Sequence, residues 1–395
     1  MKSFTYLLPS GENAVYVDKK RYLWPLSTAL PLLPMICAAA YLKTGAEWIL
    51  WIPLFFIYGM VPMLDWLLGE DESNPPETLV PELESDPYYR MLTYMVVPLH
   101  YLALIAGVWM AAAHDLSWYS LLAVTLSTGL VSGLAINTGH ELGHKNTAVE
   151  ANLAKIVLAI PVYGHFTVEH NAGHHSQVAT PEDCASARFG ESIYRFALRE
   201  IPGGIRRAWQ LESRRLQRLG HTDWSWRNQI LQSYAISAVL YVSLAVVFGL
   251  AMIPFLIVQA LFAWWQLTSA NYIEHYGLLR KKKDNGHYER CQPHHSWNAN
   301  HIFSNLILFH LERHSDHHAY ANRRYQSLRH FDNLPTLPSG YFGMYLLAYF
   351  PPLWRLVMDK RLLDQVGGDM ARVNIDPGAK TRVMQHKQPS QTRSA

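Results

Sequence analysis

The sequence predicts an all-α, polytopic membrane protein, with six transmembrane helices and a helical cytoplasmic portion that carries clusters of histidine. Three observations support this. Half of the 395 residues are hydrophobic, yet mean hydropathy is close to zero, so long apolar segments must alternate with polar ones. Six segments reach the ~20 mostly apolar residues that a membrane-spanning helix requires. Finally, nine of the 20 histidines fall in four short runs.

Residues 1–21 form a polar leader with Lys2, Lys19, Lys20 and Arg21. No compact apolar stretch with a small-residue cleavage site follows, so a cytoplasmic leader is expected in place of a removed signal peptide. Spans at 22–42, 47–68, 91–113 and 118–138 make a first membrane block, 22–138. A cytoplasmic histidine-cluster region, 139–229, separates it from a second block, 230–272, with spans at 230–252 and 254–272. A second histidine-cluster region with an interfacial helix occupies 273–377, and 378–395 is polar and expected to be disordered. Trp24, Trp48, Trp66, Trp118 and Trp264 mark span ends, as rings at the headgroup level do. Two apolar stretches, 153–166 and 341–358, are unsuited to crossing and read as half-buried or interfacial helices. The first is short, and Pro351 and Pro352 interrupt the second.

Lys and Arg concentrate in the leader, in 139–229 (Lys145, Arg188, Arg206, Arg207, Arg214, Arg215, Arg218) and after the sixth span (Arg280, Lys281, Lys282, Lys283). The positive-inside rule therefore puts both termini and the histidine runs in the cytoplasm. The net charge of +3, with no basic run interleaved with aromatics, argues against nucleic-acid binding. Cys37, Cys184 and Cys291 are scattered, which disfavours disulfides and cysteine-held metal.

The histidine runs carry the chemistry. His140-Glu-Leu-Gly-His144 ends the fourth span, and i, i+4 spacing on a helix lets both rings reach one metal. Glu169-His170-Asn-Ala-Gly-His174-His175 repeats that spacing and adds a neighbour. His275 leaves the sixth span in Asn271-Tyr-Ile-Glu274-His275-Tyr-Gly277. His314, His317 and His318 form the last run, in Leu311-Glu312-Arg-His-Ser-Asp316-His-His. One tetrahedral zinc needs four ligands, so nine histidines suit two metals with four or five nitrogens each. Imidazole suits iron, zinc, copper and nickel alike.

Glu141, Glu169, Glu274, Glu312 and Asp316 stand beside these histidines. They are expected to accept the second imidazole N–H and so fix its tautomer, Glu141 and Glu274 first. His294, His295, His301, His165 and His310 read as supporting residues. His100, His114, His221, His287, His330 and His386 read as structural or solvated. The run from His140 to His144 also matches HExxH, the helix of zinc metalloproteases. An intramembrane protease, however, leaves no task for the seven histidines of the other runs. A metal transporter would place its ligands near the bilayer midplane, not at helix ends.

HELGHK, EHNAGHH, NYIEHYG and LERHSDHHA, in this order and interleaved with six spans, resemble the bacterial integral-membrane alkane 1-monooxygenases, the alkane omega-hydroxylases of the histidine-rich membrane non-haem di-iron class. The resemblance runs from Tyr16 to Asp359. The HYG element favours alkane or xylene-type hydroxylases over fatty-acyl desaturases. The resemblance implies two non-haem iron ions (Fe2+/Fe3+), O2 as co-substrate, and terminal hydroxylation of medium or long n-alkanes drawn from the bilayer of the bacterial inner membrane. It also implies electrons from rubredoxin, reduced by an NAD(P)H-dependent rubredoxin reductase. The chain has neither a rubredoxin-like cysteine motif nor a dinucleotide fingerprint, so a separate carrier is expected. Arg206, Arg207, Arg214, Arg215, Arg218 and Lys281–Lys283 are candidates to dock it, against the alternative of ordinary positive-inside bias. A lateral channel lined by the second span, with Phe55, Phe56 and Ile57 limiting chain length, would deliver the substrate. A related enzyme acting on an aryl methyl group or a fatty acyl chain is the nearest alternative.

Overall fold

A computed structural model describes residues 2–8 and 10–379; the expected disordered tail lies outside the described residues apart from its first two positions. Six helices are long and apolar enough to cross a membrane: Pro25–Thr44, Glu47–Leu68, Pro87–Ala113, Trp118–Gly143, Gln229–Phe248 and Leu250–His275. The chain is a multi-pass membrane protein. Short turns at 45–46, 114–117 and 249 lie at one end of the bundle, and the long polar segments gather at the other. The first two spans mix 3-10, α and π turns, as expected where Pro31, Pro34, Pro53 and Pro62 withdraw backbone donors.

The fourth span is the axis of the bundle, with 67% of its apolar window buried against 22–44% for the others. It packs on the sixth through small residues. A Cβ at Gly129 would stand 2.7 Å from the Gln259 carbonyl oxygen, so only glycine permits that approach. Gln259 ties three spans together: Ser132 donates to its Oε1 at 2.6 Å, and its Nε2 donates to Tyr241 at 2.7 Å. The fourth span runs on to Gly143, past the expected end at 138, so His140 still lies within it.

One feature departs from the expectations drawn from sequence, and two add detail to them. The leader forms an antiparallel hairpin, Lys2–Leu7 with Asn13–Asp18, in the register Phe4↔Tyr16. Phe4 is buried with Trp24, Leu79, Tyr89 and Tyr325, and Asp86 clamps the hairpin by accepting from Lys2 at 2.7 Å and Arg21 at 2.6 Å. Residues 139–229 contain a 26-residue amphipathic helix, Ile193–Arg218. Its buried positions Phe196, Glu200, Gly204, Ala208, Glu212 and Leu216 recur every four residues. The apolar stretch 341–358 becomes two helices, Tyr341–Ala348 and Pro351–Gln365, broken ahead of the two prolines. Their junction dips into the bundle: the Tyr349 ring lies 5.5 Å from that of Trp265. Trp265 is ten residues before His275, about 15 Å along the helix. The stretch from 153 is held by Ala148–Leu158, whose Ala154, Val157 and Leu158 are fully buried against the core.

Replacing Asp86 by alanine leaves Lys2 and the nearly buried Arg21 without their carboxylate. A loss of about 2–4 kcal/mol is expected, read as a lower melting temperature in detergent and early proteolysis of the hairpin. An unchanged melting temperature would show that the clamp contributes nothing.

Candidate metal centre

The bundle end that carries the long segments brings all nine histidines of the four runs together. Their nitrogens converge in two groups: His140, His144, His170, His175 and His317 in one, His174, His275, His314 and His318 in the other. Within each group the donor atoms lie within 4.8 Å of one another. His140 Nε2 is 3.0 Å from His317 Nε2, and His175 Nε2 is 3.1 Å from both His170 Nε2 and His317 Nε2. In the second group His314 Nε2 is 3.1 Å from His275 Nε2 and 2.9 Å from His318 Nε2. The groups share a wall, where the His175 and His318 rings are 4.3 Å apart.

Local backbone geometry sorts the rings. His140 and His144 stay on one face of the fourth span, as i, i+4 residues of an α-helix do. The run Glu169–His174 is instead a π-helical turn. Its i→i+5 winding brings His170 to His175 and turns His174 towards the other group. The spacing had paired His170 with His174; the wider turn overrides that reading. In the short helix His314–Ala319, His314 and His318 share one face, and His317 projects to the first group.

The donor set fits a cation. His144 Nε2 and His174 Nε2 are buried without a hydrogen-bond partner among the described residues. His174 donates from Nδ1 to Asp183 Oδ2 at 2.9 Å, leaving a bare lone pair on Nε2. Nδ1 of His275 faces the His295 carbonyl oxygen at 3.4 Å, with the same effect. Donor separations near 3 Å match the edge of a polyhedron with metal–nitrogen bonds of ~2.1 Å at about 90°.

Burial pushes His144, His170, His314, His317 and His318 well below the ordinary imidazole range, and His175 down to about 2. Neutral imidazole is the form that binds metal. His174 moves the other way: burial lowers it, but Asp183 and Glu169 more than offset that. Asp183 is raised by burial, yet His174, Arg207 and Ser186 hold it far below the carboxylate range.

Asp183 was not singled out in the sequence; it lies nine residues beyond His174 in a loop with no motif. The acidic neighbours that were singled out find other partners. Glu141 pairs with Lys145 at 3.1 Å and accepts from the Tyr325 N–H at 3.3 Å. Asp316 pairs with Arg323 at 3.1 Å and accepts from the Arg329 N–H at 3.0 Å. Glu169 holds Arg207, and Glu312 accepts from Asn305 and the Tyr341 N–H. Glu274 comes nearest, with Oε2 3.4 Å from His314 Nε2, the inward nitrogen, and Oε1 without a hydrogen-bond partner among the described residues. The reason is geometric: a residue adjacent to a histidine on a helix points about 100° away from it, so outer acceptors arrive from other segments.

The remaining histidines stand outside the two groups. His165 meets Tyr234 at 2.8 Å, His310 lies between the Tyr325 carbonyl and Lys20, and His301 faces Glu70. His294, His295 and Glu289 also cluster. There, His295 Nδ1 accepts from the Gln292 N–H at 2.9 Å, which puts the ring proton on Nε2, 3.3 Å from Glu289. That pair is satisfied without an ion. Glu169, Asp183 and Cys184 form a further cluster that the Arg207 guanidinium already fills.

A narrow, mostly apolar cavity runs from the histidines into the bundle. Its inner end meets His140, His170, His314 and Glu274, and its walls include Leu130, Leu134, Leu267 and Phe342. The fourth and sixth spans supply most of its lining, and Leu308, Leu311, Phe342 and Tyr345 help to close it. The second span, expected to line such a channel, lies one layer out: Phe55 is 65% exposed, Ile57 is buried in the core, and Tyr58 stands behind the wall, donating to Gln266 and packing edge-on against Phe342.

The fatty acid desaturase family matches residues 116–348, from the fourth span to the helix Tyr341–Ala348. An alkane 1-monooxygenase of Alcanivorax borkumensis is 54% identical over 370 residues, covering 93% of this chain and 91% of its own. One from Ectopseudomonas oleovorans is 55% identical over 361 residues, 91% and 90% of the two chains. The chain belongs to the alkane 1-monooxygenase family. The family's reach is wider at lower identity: the xylene/toluene monooxygenase hydroxylase component of Pseudomonas putida is 25% identical over 347 residues.

Two outcomes are expected of this alkane 1-monooxygenase family member. Asp183→Asn removes the charge that fixes His174 and should weaken metal binding about 10- to 100-fold, whereas Asp316→Asn, facing Arg323, should leave metal content intact; equal metal loss in both would count against this assignment. In metal-depleted protein His144, His170, His175, His314, His317 and His318 have folded pKa values below the unfolded ~6.5, so their contribution is present above pH 6.5 and is lost as pH falls below it, by up to about 1.4 kcal/mol per unit each, against the opposite but single contribution of His174. The melting temperature should therefore drop between pH 7.5 and 5.5; a flat profile would mean the rings are solvated.

Proposed function

We propose that this protein hydroxylates the terminal carbon of medium- or long-chain n-alkanes to 1-alkanols, using O2 at a histidine-held di-iron centre. The observation that carries this reading is the apolar cavity ending on the two histidine groups, because a hydrocarbon end placed there has no other reactive neighbour. Names borne by relatives at 54–55% identity support the substrate class. His140, His144, His170, His175 and His317 would hold one iron, and His174, His275, His314 and His318 the other. Bound iron supplies the oxygen activation and C–H cleavage that side chains alone lack.

The chain's own residues do the rest. Leu130, Leu134, Leu267 and Phe342 strip water from the alkane and direct its end towards the histidines. Asp183 holds the His174 tautomer, Arg207 holds Asp183, and Glu274 supplies a carboxylate at the inner end of the cavity.

Lys and Arg crowding at the histidine end supports an inner-membrane protein with that end, and both termini, in the cytoplasm. Rubredoxin, reduced by an NAD(P)H-dependent reductase, is the proposed electron donor. Exposed Arg206, Arg214, Arg218 and Lys281–Lys283 are free to attract an acidic carrier. Arg207 is not, being engaged by Glu169 and Asp183, and Arg215 pairs with Glu212.

Purified protein should contain about two irons per chain and form 1-alkanol from an n-alkane with rubredoxin, its reductase and NADH. His318→Ala should lower iron content and abolish turnover. One zinc per chain with no oxygen consumed would overturn the reading, and preferred turnover of xylene or an acyl chain would favour the wider family.

A further inference from the structure

Away from the histidine end, where Glu274 lies, the apolar cavity has a wall residue poorly matched to a hydrocarbon. Gln266 lines the cavity and is only 7% exposed. Tyr58 donates to its Oε1 at 2.6 Å, and its Nε2 has no hydrogen-bond partner among the described residues. Gly133 of the fourth span makes room for the side chain, since a Cβ there would lie 2.7 Å from Gln266 Cγ. A buried amide without a partner is costly, and an alkane offers none. Turning the amide over changes the atom presented, not the mismatch, and a hydroxyl satisfies either orientation because it both donates and accepts.

Position gives the ligand its length. Gln266 is eight residues before Glu274 on the same helix, about 12 Å at 1.5 Å per residue, and both line the cavity that ends at His140, His170 and His314. An extended chain advances ~1.3 Å per carbon, from C–C bonds of ~1.5 Å at tetrahedral angles. The gap therefore spans about nine carbons.

We propose that the cavity also takes 1-alkanols of about eight to ten carbons methyl-end first, with the hydroxyl held by Gln266, and converts them to α,ω-diols. This rests on the hydroxylase reading above. The terminal C–H bond of the alkanol breaks, and a C–O bond forms with one atom of O2. The other oxygen atom leaves as water, with two electrons from the one-electron carrier protein and two protons from solvent.

The test uses iron-loaded enzyme with its electron carrier, given n-nonane and 1-nonanol separately, with 1-nonanol and 1,9-nonanediol measured as products. Wild type should form the diol. Gln266→Leu should lower the ratio of kcat/KM for nonanol over nonane by about tenfold or more. Tyr58→Phe, which keeps the amide but loosens it, should lower the same ratio by a smaller factor, so misfolding of one variant does not decide the matter. No diol from an enzyme that turns over nonane would overturn the proposal. So would equal losses on both substrates in both variants, since a purely structural or water-bonded amide would behave that way. Failure of wild type to hydroxylate nonane would sink the hydroxylase reading along with this one.

Discussion

Nine imidazoles, eight of them buried and His175 half-buried, whose nitrogen lone pairs face one another set the terms for this protein. Neutral rings at 2.9–3.1 Å cannot all be matched by hydrogen bonds among themselves, so the arrangement calls for a cation between them and a frame that keeps them together without one. The frame is hydrophobic packing on one side and charge on the other. The fourth and sixth spans, pressed together through glycine, fix His140 and His275. Arg207, Asp183 and Ser186 brace the π turn from the polar side. The dipping helix pair closes the apolar side with Phe342 and Tyr345.

Much of this was legible in the residues. Length and hydropathy gave the six spans, because crossing a bilayer imposes a requirement that local sequence alone must meet. The nine histidines stood out by their grouping. Their division did not, because a period of 3.6 pairs His170 with His174, and only a π turn pairs His170 with His175. Nothing in the residue types of 166–177 announces that turn.

Asp183 escaped for a related reason. Its role depends on a loop folding back over nine residues, whereas the acidic residues adjacent to histidines, such as Glu141 and Asp316, are carried to other faces by the helices that hold them. The amphipathic helix Ile193–Arg218 buries one face every four residues, but Glu200, Gly204 and Glu212 interrupt the apolar series Phe196, Ala208 and Leu216, so no clean apolar period shows in the sequence. Its strongly polar composition and internal Pro202 masked it beside the more conspicuous histidine runs. The channel was displaced from the second span to the fourth and sixth because hydropathy cannot tell a lipid-facing Phe55 from a cavity wall.

The order of the histidines along the chain has a consequence for biogenesis. The first group takes four of its five rings from residues 140–175 and the fifth from His317; the second takes two of its four, His314 and His318, from the same late segment. Neither coordination set is complete until the ribosome has passed residue 318, by which time all six spans have been made. The complete ligand sets are thereby available only in the membrane-embedded chain, whereas a nascent protein stalled just before that segment would hold four rings of the first group and two of the second.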